Sequence, residues 1–116
     1  MKAILIAALL LLSASAQAAG EFKAHNFTLP GGSVKVDDDR FRLPQAWEDA
    51  LKFYKAVLPP AKYPRHTLHN QAGIRAIHID NPKSTRDADD WEGANIYEIA
   101  RGEVRVYILT RPGDGS

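Results

Sequence analysis

The sequence predicts an α+β fold: one amphipathic helix packed on a small antiparallel sheet of three to five strands. Three observations carry that expectation. Trp47, Ala50, Leu51, Tyr54, Val57 and Leu58 recur at three- and four-residue steps, the spacing of one apolar helix face. Arg65 to Thr110 then alternates apolar and polar residues between turn-forming clusters, as half-buried strands do. No internal repeat and no second composition regime divides the chain.

The N-terminus reads as a leader, so residues 1–18 are assigned to a cleavable signal peptide. Lys2 supplies a basic start, Ala3 to Leu12 is an unbroken apolar run, and Ala16-Gln17-Ala18 fits the small-x-small pattern that signal peptidase recognises. Cleavage is expected before Ala19. The apolar run is half the length of about 20 residues that a spanning helix needs, so no membrane span is expected after cleavage. Without a cysteine at the cut site, anchoring by a lipidated cysteine is excluded. The mature chain is therefore expected outside the cytoplasm, periplasmic or extracellular.

Residues 19–43 form an N-terminal lead-in with an edge strand around Phe22, Phe27 and Leu29, stopped by Pro30-Gly31-Gly32. Val34 to Val36 reads as a short strand, followed by the acidic triplet Asp37-Asp38-Asp39. The lead-in belongs to the same single domain as residues 44–110. Pro44 suits a first helical turn, where its missing N–H costs nothing. Glu48 and Asp49 early, with Lys52 and Lys55 late, complement the helix dipole. Pro59-Pro60 ends the helix.

Arg65 to Asn70 and Ile74 to Ile79 read as strands joined by a turn at Asn70 to Gly73. A polar loop follows, from Lys83 to about Asp90. Ala94 to Ala100 and Glu103 to Thr110 form a hairpin. A two-residue turn at Arg101-Gly102 would set Glu98 opposite Arg105. Residues 111–116 are a flexible tail.

The absence of cysteine removes the staples that many small exported domains rely on. With Lys2 set aside, 14 basic and 14 acidic side chains remain. That balance argues against a general nucleic-acid or membrane-surface binder, which needs a basic excess. No nucleic-acid partner is expected.

His66, His69 and His78, with Asp80, Glu92 and Glu98 nearby, are residue types that ligate zinc or copper. A regular strand sends His66 and His69 to opposite faces, so one ion could meet both only across a bulge or loop. Asp87 to Gly93 clusters oxygen donors but lacks the alternating spacing of a calcium loop. No metal or other cofactor is assigned.

The catalytic candidates are His78, Glu98 and Arg105. Helix-then-sheet order and these residue types resemble the layout of small exported guanyl-specific ribonucleases. The resemblance implies Glu98 as the base that takes the 2′-hydroxyl proton, His78 or His66 as the acid, and Arg105 on the phosphate. Those enzymes carry the acid histidine near the C-terminus, whereas no histidine follows His78 here. Ala50 to Leu58 is also similar to the helix of the glyoxalase and vicinal-oxygen-chelate families, whose unit of one strand, a helix and three strands implies a metal cup built from two units, hence a dimer.

Two function classes follow. The first is a small exported non-catalytic module that binds a protein or other envelope partner, or a second copy of itself. The second is a small hydrolase, ribonuclease-like or metal-dependent, centred on His78, Glu98 and Arg105. The first is preferred, on the balanced charge and on aromatic residues in excess of what one helix covers.

Overall fold

The computed structural model describes residues 20–71, 73–85 and 89–110. The expected leader and its expected cleavage site, Ala72, Asp87 and the residues from 111 onward lie outside the described residues.

The protein is mostly β, which corrects the expected architecture. Among the described residues, eight strands form a two-stranded and a six-stranded sheet, with one α-helix. The chain runs β1 (Phe22–Ala24), β2 (Phe27–Leu29), β3 (Val34–Asp37), β4 (Arg40–Arg42), α1 (Trp47–Val57), β5 (Arg65–Gln71), β6 (Ile74–Asp80), β7 (Trp91–Ile99) and β8 (Glu103–Thr110). The large sheet is antiparallel throughout, in the order β3-β4-β8-β7-β6-β5.

The additional strands come from the segment read as a lead-in, which folds as two tight hairpins. Ala24 pairs with Phe27 across His25 and Asn26, both in the left-handed region at φ 52° and 66°. Asp37 pairs with Arg40 across a turn in which Asp39 has φ 57°. Asn and Asp tolerate this conformation because their short polar side chains bond locally. These turns therefore form without glycine.

One face of the large sheet carries the core. Phe41, Ile79, Ala94, Ile96, Val104, Val106 and Ile108 meet a second layer made by α1 and the β1–β2 hairpin. Phe27 is the contact point of that layer, stacked on Tyr54 (centroids 5.2 Å) and edge-on to Trp91 (5.0 Å). The helix buries Trp47, Ala50 and Tyr54 along one stripe, while Leu51 and Val57 are only half-buried at its margin. The Tyr54 hydroxyl donates to the Thr28 carbonyl at 2.9 Å, tying α1 to β2. Burial pushes the Tyr54 phenol far above its ordinary value, so it stays a donor. Pro44 lies ahead of the first turn rather than in it: Ala46 precedes the helix, and its carbonyl accepts the first helical bond from the Ala50 N–H at 2.9 Å.

The β7–β8 register also differs from expectation. Ile99 pairs with Glu103 across a three-residue 3-10 turn, Ala100–Gly102, and Gly102 takes φ 77°. The turn is one residue longer than a two-residue hairpin loop. A one-residue change in register exchanges faces: Glu98 stands opposite Val104, and Arg105 stands opposite Tyr97.

Candidate functional site

Among the described residues, no layer covers the second face of the six-stranded sheet. Its side chains are half-buried or exposed, whereas Phe41, Ile79, Ala94, Ile96, Val104, Val106 and Ile108 on the opposite face are buried. Two neighbouring rungs cross this face. One runs Arg42, Arg105, Tyr97, Ala76, His69, and the next runs Arg40, Tyr107, Asn95, His78, His66. The strands put these residues side by side because each contributes alternate positions to one face.

His66 and His69 share the face because β5 bulges between Thr67 and His69. The bulge supplies the condition under which residues three apart can face the same way. His66 Nε2 lies 3.0 Å from Asp80 Oδ2, and His78 Nε2 lies 2.9 Å from Asp80 Oδ1. His78 Nδ1 lies 2.6 Å from Asn95 Oδ1. The two rings are nearly parallel, with centroids 6.4 Å apart. Gly93 makes room for this cluster, because a Cβ there would stand 2.7 Å from His78 Cε1. Asp80 thus acts as a shared hydrogen-bond partner of both imidazoles. No three His, Asp or Glu side chains among the described residues are placed to hold one metal ion.

The three catalytic candidates do not converge. Glu98 faces the core side, where Arg75 Nε and Nη2 donate to its two oxygens at 2.8 and 3.1 Å. Arg75 also lies over the Trp47 ring, 5.4 Å from its centroid, and approaches Glu48 at 3.5 Å. The Arg75 hydrogen bonds hold the Glu98 carboxyl below its ordinary range, despite the opposing effect of burial. A carboxylate engaged at both oxygens by an arginine is a poor proton acceptor. Arg105 lies on the opposite face and donates from Nε to Glu103 Oε2 at 2.6 Å. His78 shares a face with Arg105 but sits two strands away, in the Asp80–Asn95 cluster. Arg75, which the sequence reading passed over, takes the role expected of Arg105.

The acidic loop has a structural use. Asp90 is buried and accepts from Asn26 Nδ2 at 3.2 Å and from the Thr85 backbone N–H at 2.6 Å. The Thr85 bond is foremost in holding its carboxyl below the ordinary range. Trp91 enters the core, stacked on Tyr63 at 5.8 Å.

The sequence reading missed Arg40, Arg42, Asn95, Tyr97 and Tyr107 as members of one surface. Their signal was the period-two spacing of 40 and 42, 95 and 97, and 105 and 107, which only the register assembles. Among the described residues, no helix is long and apolar enough to cross a membrane. No protein-family model matches the chain, nor does any curated protein or solved structure.

Proposed function

We propose that the chain is an exported, non-catalytic module that binds a protein partner across the uncovered face of its six-stranded sheet. One observation carries the reading: two adjacent rungs of that face present two tyrosines, three arginines and three histidines, with no layer over them among the described residues. Tyrosine and arginine combine large contact area with directional polar groups and are enriched where proteins meet. The reading is favoured over a hydrolase centred on His78, Glu98 and Arg105 because Glu98 and Arg105 lie on opposite faces of the sheet. Export rests on the leader pattern of residues 1–18.

A photo-crosslinking residue placed at Tyr107, and separately at exposed Lys52 on the far side of α1, tests this in envelope-containing cells. The expected result is a discrete adduct from position 107 and none from 52. Equal labelling at both, or none at either, refutes the assignment of this face. Cleavage of RNA by the purified protein that disappears with Glu98→Gln would replace a binding module with an enzyme.

A further inference from the structure

We infer that the partner segment seated on this face is an extended, acidic stretch of polypeptide, with carboxylates at alternate positions that dock on Arg40, Arg42 and Arg105. The inference rests on the binding-module reading above and adds the chemistry of the partner. Arg42 and Arg105 occupy directly opposed positions on β4 and β8. Like charges placed opposite one another on adjacent strands destabilise a sheet. Glu103 offsets Arg105. Among the described residues, neither Arg42 nor Arg40 has a carboxylate within ion-pair distance, although Asp37 is the register partner of Arg40. Asp37 instead accepts from the backbone N–H of Asp38 at 2.8 Å. Arg40 lies over the Tyr107 ring, 4.4 Å from its centroid, which orients its guanidinium without neutralising it. The β4 edge of the face, Arg40 and Arg42, therefore presents two guanidiniums that no carboxylate among the described residues neutralises.

The spacing selects the ligand. Arg40 and Arg42 are alternate residues of one strand, about 6.5–7 Å apart along it. Alternate side chains of an extended peptide repeat at the same distance, so acidic residues at i and i+2 match them. A guanidinium fork receives a carboxylate through two parallel hydrogen bonds. Tyr97 beside Arg105 and Tyr107 beside Arg40 offer ring surface to the intervening backbone. A long polyanion fits less well, because Asp37, Glu103 and Asp80 share the face and would meet its phosphates or sulfates.

The test titrates the purified mature protein with three blocked hexapeptides, followed by amide NMR shifts. One peptide has two glutamates at alternate positions, one has them adjacent, and one has glutamines in their place. The alternate-glutamate peptide should bind at least fivefold tighter than the adjacent isomer and shift the amides of Arg40, Arg42 and Arg105, while the glutamine peptide should not bind measurably. Arg42→Gln should weaken binding at least tenfold with an unchanged or higher unfolding midpoint. Arg42→Lys, which keeps the charge and loses the fork, should fall between. Equal binding of the three peptides, shifts confined to other strands, or tighter binding of a heparin fragment than of the alternate-glutamate peptide would each overturn the inference. Crosslinking at position 107 without any peptide preference would leave the binding face standing and reject the acidic segment alone.

Discussion

Gly93→Ala gives a sign that separates a functional glycine from a strand filler. The added Cβ would stand 2.7 Å from His78 Cε1, 2.9 Å from His78 Nε2 and 3.2 Å from the Ile79 carbonyl oxygen. The imidazole is the part free to move, and moving it breaks its contacts with Asn95 and Asp80. Each such bond is worth about 0.5–1.5 kcal/mol net. With the His78 side chain 24% exposed, water recovers part of that. The close approach to the Ile79 carbonyl adds strain of about 1 kcal/mol, at the low end of overpacking costs. Against this, alanine removes the glycine penalty in a strand, about 0.5–1 kcal/mol. The balance is a destabilisation of about 1–2 kcal/mol, which lowers a urea midpoint by about 0.5–1 M for a domain of this size. In a His78→Ala background the imidazole clash is gone and only the approach to the Ile79 carbonyl remains, roughly offset by the lost glycine penalty, so the same substitution should be near neutral, and the cycle should show coupling of about 1–2 kcal/mol. If Gly93→Ala stabilises equally in both backgrounds, Gly93 is not reserved for the imidazole and the cluster geometry is wrong.

Other perturbations probe the core, the charges and the leader. Tyr54→Phe removes the bond to the Thr28 carbonyl and should cost about 1–2 kcal/mol in chemical denaturation; no loss would mean that β2 is not tied to α1. Half-buried Leu51→Ala should cost about 1–2 kcal/mol, below the 2–5 of a fully buried site, and exposed Lys52→Ala less than about 0.5; equal effects would misplace the helix face. Glu98 and Asp90 are both held below the ordinary carboxyl range, so the stability they contribute is complete above about pH 4.5 and is lost as pH falls through their depressed folded values. Acid unfolding should therefore be less steep in Glu98→Gln, and an unchanged acid limb would refute the Arg75 pairing. Mass spectrometry of the mature protein should find its N-terminus within a few residues of Ala19, whereas a retained Met1 would refute processing.

The helix was legible in the sequence because its apolar period is long, regular and bounded by prolines. The β7–β8 hairpin was legible in existence but not in register. Gly102 marks the turn correctly, yet nothing local says that Ala100 leaves the ladder to join it. That single residue decided the candidate site, since it moved Glu98 into the range of Arg75 and Arg105 to the open face. The N-terminal hairpins escaped notice because their turns use His25, Asn26 and Asp39 at positive φ in place of glycine. The bulge that aligns His66 with His69 has no marker in Thr67 or Leu68, and follows from pairing with β6.

The place of β8 in the sheet has a consequence for how the molecule is made. Four of the five strand pairings in the large sheet join chain neighbours and can form as soon as both strands exist. The fifth, β4 against β8, joins segments that flank the whole helix and meander. Such a contact closes a long loop, and its entropy must be overcome before the pairing rewards it. A nascent chain that lacks β8 has a β3–β4 ribbon with one edge unsatisfied and a β7 strand in the same condition. Both are templates for the wrong partner. Truncation before Glu103 should therefore yield aggregation rather than a smaller fold, and the interval between synthesis of Arg42 and emergence of Thr110 is when the chain most needs a chaperone.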